Sequence, residues 1–231
     1  MKVLHSSIRT HEIPEAGLRR LPIYYRSLQE MLTAGVQQVS CADLARDLGL
    51  DPTLVRKDIE VTGIVGKPRV GYPLVDLMRW IENFLGWNRP KEAVLAGSGS
   101  LGSALLGYEK FGSHGMKIVA AFDVDPAKVG QSIHGREVRP LAQLPEFVRT
   151  TQILLGLIAT PADAAQSVAN LMVAGGILAI WNFAPAHIQV PERVILQNED
   201  LYHSLASLSY KLENRLGVPP FESEISYAED N

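Results

Sequence analysis

The stretch Ala93-Val94-Leu95-Ala96-Gly97-Ser98-Gly99-Ser100-Leu101-Gly102 decides how the rest of the chain is read. Four apolar residues suited to a buried strand run directly into a GxGxxG motif, and a helical segment over Ser103–Tyr108 follows. Each glycine has its own reason to be there. Gly97 permits the tight turn, Gly99 lets backbone approach a pyrophosphate, and Gly102 allows a helix to pack closely on the strand. The N–H groups that open a helix lack partners within it and can face phosphate oxygens. Gly97, Ser98, Gly99, Ser100, Leu101 and Gly102 are therefore candidate ligands of a dinucleotide. A glycine-rich strand-to-helix turn that holds nothing is the plainer alternative.

Towards the C-terminus the rhythm remains strand, helix, strand. Short apolar runs at Lys117–Phe122, Gln152–Ala159, Ile177–Trp181 and Val194–Leu196 are separated by segments such as Pro161–Ala174. This alternation predicts a parallel sheet covered by helices. Asp123 ends the second strand, 21 residues after Gly102, where a dinucleotide site places an acid that accepts a hydrogen bond from the ribose. A carboxylate there would repel a 2′-phosphate, which favours NAD over NADP. Asp125 is a rival for the ribose, or a cap for the segment after it.

Towards the N-terminus, across a linker at Asn88–Lys91, the pattern turns to short helices. Leu21, Tyr25, Leu28 and Leu32 mark a helical stripe over Pro22–Thr33, with Pro22 in its first turn and Gly35 closing it. Ser40, with Asp43 three residues on, predicts a capping box for a helix that carries Leu44 and Leu48 and ends at Gly49. Asp51-Pro52 predicts the start of a third helix that runs to about Thr62 and stops at Gly63. Two helices joined by Gly49-Leu50-Asp51 have the outline of a helix-turn-helix. Gly63–Gly71 then reads as a hairpin or wing, and Val75–Phe84 as a further helix. Thr53, Arg56 and Lys57 on the third helix, with Lys67 and Arg69 in the wing, are candidate DNA contacts. With Asp58 and Glu60 beside them, the same residues also fit an ordinary solvated face.

Composition bounds these readings. At 231 residues and 25.3 kDa, with 46% hydrophobic and 20% charged residues, the chain has the make-up of one or two globular domains. The apolar runs Ile153–Ala159 and Val173–Trp181 fall short of the roughly 18 residues needed to span a bilayer. The first residues lack the apolar core of a signal peptide, so a cytoplasmic protein without a membrane segment is expected. A single cysteine, Cys41, excludes an internal disulfide, and the six histidines show no metal-ligand spacing, so no metal is expected. The net charge of −3 hides an asymmetry: residues 1–90 hold 12 Lys and Arg against 10 Asp and Glu, the remainder 10 against 15. A phosphate-binding surface confined to the front half is permitted. At the other end, Leu201, Leu205, Leu208, Leu212 and Leu216 form a narrow stripe suited to packing on another helix, in the same protomer or a second copy. Residues 218–231 are acidic, contain two prolines and are expected to be a disordered tail. No second lobe offers an acid–base group for a nicotinamide substrate, which argues against an NAD-dependent oxidoreductase.

Taken together, LPIYYRSL (21–28), VRKDI (55–59), KPRVGY (67–72), GSGSLGSALLGY (97–108), AAFDVDPAKVG (120–130), TPADAAQ (160–166), NFAP (182–185) and NEDL (198–201) resemble the Rex family of redox-sensing transcriptional repressors. The resemblance runs from about Ile13 to Leu216. It implies an α/β protein with a winged-helix DNA-binding domain (13–88), a Rossmann-like parallel-sheet domain (91–199) and a C-terminal dimerisation helix (200–217) exchanged within a homodimer. It also implies binding of operator double-stranded DNA, relieved when NADH competes with NAD⁺, and no catalytic activity. Carried over by motif, Gly97–Gly102 would hold the pyrophosphate and Asp123 the ribose, with Thr160, Tyr108 and Leu201 completing the cofactor site. Tyr108 and Asp200 match positions near the nicotinamide that pair across the dimer, and Arg26 matches the position that answers Asp200 in one of two states. The chain departs from the pattern in three places. Glu60-Val61-Thr62-Gly63 replaces a usual Ser-Tyr-Phe-Gly, Ala159-Thr160-Pro161 replaces Thr-Val-Pro, and Trp181 replaces an aliphatic residue. Sensing of another nucleotide, such as coenzyme A, through the same loop is the rival within this architecture.

Overall fold

The computed structural model describes residues 14–217. The chain begins with α1 (Glu15–Thr33), β1 (Gln38–Val39), α2 (Cys41–Leu48), α3 (Pro52–Glu60), β2 (Tyr72–Pro73) and α4 (Leu74–Leu85). It continues with β3 (Lys91–Ala96), α5 (Ser100–Leu106), α6 (Lys110–Ser113), β4 (Met116–Asp123), β5 (Ser132–Ile133), β6 (Arg136–Pro140) and α7 (Leu144–Thr151). The last elements are β7 (Leu155–Ile158), α8 (Ala162–Gly175), β8 (Ala179–Asn182), β9 (Ile195–Asn198) and α9 (Leu201–Leu216). Two compact units result. One comprises residues up to Pro90 together with Lys110–Met116, the other Lys91–Glu109 and everything from Lys117 on.

In the first unit, Leu21, Tyr24, Leu28, Leu44, Val55, Ile59, Leu77 and Ile81 form one buried cluster. Helix α1 starts well before the expected Pro22, which lies in its interior and not in its first turn. Proline has no N–H to give the Leu18 carbonyl one turn back, and Leu18 is exposed, so water can take that place. The capping box is present as expected: the Ser40 hydroxyl accepts from the Asp43 N–H, the Asp43 carboxylate accepts from the Ser40 N–H, and Gly49 closes α2 in the left-handed region. Asp51 caps α3 by accepting from the N–H groups of Thr53 and Leu54. The wing is a short hairpin in which Lys67 and Gly71 exchange backbone hydrogen bonds of 2.8 and 2.9 Å, and β2 pairs antiparallel with β1. Gly71 must be glycine, because a Cβ there would come within 2.3 Å of the Val39 carbonyl oxygen. The segment carrying α6 completes this unit: the Trp87 ring stands edge-on to both Tyr25, at 5.3 Å, and His114, at 4.3 Å. Gly115, at φ +71°, presses against the Trp87 backbone.

The second unit is built on a seven-stranded sheet in the order β5-β6-β4-β3-β7-β8-β9. The pairings β3–β7, β4–β6, β7–β8 and β8–β9 are parallel. Counting from the glycine-motif strand outward gives the doubly wound order of a dinucleotide-binding sheet, with β5 added antiparallel at one edge. Val94, Ala96, Phe122, Leu144, Ile158, Val168 and Met172 fill the core. Two strands and one helix were not legible in the sequence. Of β6 only Val138 is buried, and β5 at the sheet edge is two residues long with neither buried, so neither leaves an apolar run to read; α7, between β6 and β7, is not legible either. Helix α9 presents Leu205, Leu208, Leu212 and Leu216 to solvent, each more than half exposed. The side chain of Leu201 and the expected tail 218–231 lie outside the described residues. Among the described residues no helix is long and apolar enough to cross a membrane, and no group of three or more His, Cys, Asp or Glu could hold a metal.

Candidate functional site

The glycine loop leaves β3 through Gly97, whose φ of +94° and close approach to the Ala159 carbonyl (a Cβ would lie 2.4 Å from its oxygen) exclude any side chain. Gly102 is equally constrained, since its Cβ would fall 1.9 Å from the Gly97 carbonyl oxygen. These two glycines pack the loop. Gly99 differs: a Cβ there would meet nothing within 4 Å, so its bareness leaves an open approach to the backbone. Gly97 and Gly99 line a cleft of about 330 Å³ with Asp123, Asp125, Lys128 and Thr160. Ser100 and Leu101 are exposed along the start of α5.

Asp123, at the end of β4, is buried and is held by four donors. Its Oδ2 accepts from the Ser98 N–H at 2.8 Å, the Ser98 hydroxyl at 2.6 Å and the Lys128 ammonium at 3.4 Å. Its Oδ1 accepts from the Asp125 N–H at 3.0 Å, which leaves a lone pair for a ribose hydroxyl. Burial alone would raise the Asp123 carboxyl, but the Ser98 hydroxyl, the Asp125 and Ser98 N–H groups and Lys128 bring it down to about 2. Ser98 is thus turned towards Asp123 with both of its donors. Asp125 accepts from the Ala127 N–H at 2.9 Å, shaping a turn where no helix forms. At the far wall, the Thr160 hydroxyl is buried with no hydrogen-bond partner. An orphaned hydroxyl in a cleft that Gly99 also lines is an arrangement a nucleotide would complete.

In the first unit, the exposed face of α3 carries Thr53, Arg56, Lys57 and Glu60. Arg56 and Glu60 share a groove of about 720 Å³ with Lys67 and Arg69 of the hairpin. Asp58, read in the sequence as part of that face, is buried instead. The Arg20 guanidinium donates to it in two bonds of 2.6 and 2.9 Å, and the Tyr24 hydroxyl in one of 2.6 Å. Burial works against the Asp58 anion, yet Arg20 and Tyr24 hold its carboxyl below the usual range. This trio clamps α3 to α1 and was missed in the sequence; its only signal was an acid spaced like the buried Val55 and Ile59. At the hairpin tip Arg69 has φ +63°, with the Val70 N–H bonded to the Lys67 carbonyl across it. Cys41 lies under the same groove, where burial pushes its thiol up.

The three residues expected to form a switch stand on separate elements. Arg26 is exposed on α1, Tyr108 is half exposed after α5, and Asp200 caps α9 by accepting from the Tyr202 N–H at 2.8 Å.

Comparison with known proteins gives the following. Residues 12–59 match a family described as putative DNA-binding protein N-terminus, and residues 88–186 match the CoA binding domain family. The chain is 42% identical over 205 residues to the redox-sensing transcriptional repressor Rex of Treponema denticola, covering 88% of this chain and 98% of that protein. It is also 42% identical over 201 residues to the Rex of Pelotomaculum thermopropionicum, covering 87% and 94%. Among solved structures, that of RSP with β-NAD⁺ and operator DNA superposes with a TM-score of 0.84 at 33% identity, over 88% of this chain and 94% of that one. RSP with β-NADH gives 0.80 at 32% identity, over 89% and 96%. Near-complete coverage in both directions, across both units, leaves one conclusion: the chain belongs to the Rex family of redox-sensing transcriptional repressors.

Proposed function

We propose that this chain is a redox-sensing repressor that binds operator DNA as a homodimer and is released when NADH replaces NAD⁺ at the glycine loop. The observation that carries the reading is the presence, in one chain, of a cleft lined by the glycine loop and the buried Asp123 and of a helix-turn-helix and hairpin carrying Arg56, Lys57, Lys67 and Arg69. The relatives are named repressors, and RSP has been solved with operator DNA and with each form of the dinucleotide. We assign DNA binding to 13–88, nucleotide binding to 91–199 and the pairing of two copies to 200–217. The nucleotide then acts as signal and not as substrate, and the cytoplasm is the compartment.

The residues fit the dinucleotide. The open backbone at Gly99 would receive the pyrophosphate, the free lone pair on Asp123 Oδ1 a ribose hydroxyl, and the Thr160 hydroxyl a polar atom of the ligand. When bound, the nicotinamide supplies the signal, being charged and aromatic in NAD⁺ and neutral in NADH. A ligand shifts two states only by its difference in affinity for them, so residues near that ring must also belong to the joint that changes. We assign this to Asp200, exchanging between Arg26 in the DNA-competent state and Tyr108 in the released one. An exchange worth about 1–3 kcal/mol suffices, the usual range of allosteric coupling.

A second reading, sensing of coenzyme A, is favoured by the family matched over 88–186. Against it, coenzyme A carries a phosphate on its ribose, at the end of the cleft where Asp123 and Asp125 stand. A gel shift on the DNA upstream of the protein's own gene, run with NADH, NAD⁺ and coenzyme A, tests both. Release by NADH alone is expected. Release by coenzyme A alone would replace the first reading with the second.

A further inference from the structure

The four donors around Asp123 have a meaning beyond fixing a side chain. Ser98 N–H, Ser98 Oγ–H, Asp125 N–H and Lys128 Nζ converge on one carboxylate within 2.6 to 3.4 Å. Convergent N–H, hydroxyl and ammonium donors are what any oxyanion requires, whether it is carboxylate or phosphate. Lys128 rises from the turn after β4, lines the cleft, and also lies 3.7 Å from Asp125. It is the basic residue lining the cleft, beside two acids. The wall that would face a 2′-phosphate thus carries one net negative charge and not two, and the cation in it is partly exposed.

We propose that Lys128 and Ser98 form an anion nest whose resident anion is the Asp123 carboxylate, and that Lys128 decides whether the site can accept a ribose 2′-phosphate once that carboxylate is gone. With Asp123 in place, its charge occupies the nest and keeps a second anion out. With Asp123 removed, the donors stay while their anion is missing, and a 2′-phosphate has the chemistry to replace it. Preference for NADH over NADPH would then be set by competition for a built anion site more than by bare repulsion. This rests on the nucleotide reading given above.

The test is direct titration of the full-length protein with NADH and NADPH, followed by the fluorescence of the reduced nicotinamide, with no DNA present. Asp123→Ala should raise the NADPH affinity relative to NADH by roughly ten- to hundredfold, the worth of a hydrogen bond to a charged group. Asp123→Ala with Lys128→Met should lose most of that gain. Asp123→Asn keeps the shape of the side chain and serves if the alanine variant does not fold; its NADPH affinity should likewise fall when Lys128→Met is added. An equal gain with and without Lys128, in either background, overturns the proposal, as does no gain at all. If the natural protein binds neither NADH nor NADPH, the nucleotide reading itself fails, an outcome distinct from the other two.

Discussion

Thr160 shows what one atom can reveal. Its hydroxyl is buried in the cleft with no partner, and an unsatisfied buried polar group costs stability on the order of 1–3 kcal/mol. Thr160→Val keeps the shape and removes the orphan. The melting temperature should hold or rise slightly, while NADH affinity should fall by up to about tenfold, one lost hydrogen bond. Loss of stability without loss of affinity would show that the hydroxyl has another partner in solution. Asp123 carries a different signature. Its carboxyl falls from an ordinary 3.8 to about 2, so it contributes stability that is fully present above about pH 4 and lost as pH falls through 2. Asp58 is lowered as well and adds in the same direction. In acid titrations of stability without nucleotide, the natural protein should lose more between those limits than Asp123→Asn does. Asp123 was legible in the sequence because its distance from the glycine motif is set by helix α5, the short α6 and strand β4. Ser98 and Lys128 as its holders were not, since a side chain's direction inside a loop depends on what the fold brings beside it.

At the scale of elements, α3 depends on a clamp that periodicity could not disclose. Breaking a fully buried ion pair by removing one partner typically costs about 3–5 kcal/mol; with Arg20 partly exposed, Asp58→Ala, which strands Arg20 and Tyr24 together, should cost less than that. Thermal unfolding should drop by several degrees, and DNA binding should fall with it, while NADH titration stays intact. Arg56→Ala and Lys57→Ala should weaken operator binding with the fold preserved. A base-reading side chain would cost about 1–3 kcal/mol at one operator position, whereas a phosphate contact would weaken all sequences and flatten the salt dependence. The hairpin tip offers a cleaner separation. Arg69 occupies a left-handed conformation that favours glycine, at a strain of about 1 kcal/mol or more. Arg69→Gly should therefore stabilise the first unit and weaken DNA binding at once. Operator binding that holds or rises in this variant would mean that Arg69 has no part in DNA binding. Helices with caps and stripes were readable here because their signals are local. Strands β5 and β6 were not, because β5 is two residues long with neither buried and only Val138 is buried in β6.

Across the whole molecule, the outstanding surface is α9. A row of leucines each more than half exposed is an apolar face that a second copy can cover, at roughly 1.5–3 kcal/mol for each leucine fully buried. Sedimentation should show a dimer that becomes monomeric, or aggregates, when the chain is cut at Glu199. A persistent dimer would place the contact elsewhere. The proposed switch has its own test, refined by the capping role of Asp200. Asp200→Asn keeps an N-cap and removes the charge; like Tyr108→Phe, it should bind DNA and NADH but lose most of the NADH-driven release. Arg26→Ala should weaken DNA binding even without nucleotide. Unchanged release in all three variants would rule out the exchange. Finally, the chain passes between its two units three times, after Pro90, after Glu109 and after Met116. A gene fusion that joined the units at a single breakpoint would cost either the first unit the strip that seats Trp87 or the second unit β3 and the glycine loop. The two units are therefore not contiguous cassettes: each is completed by a segment that interrupts the other.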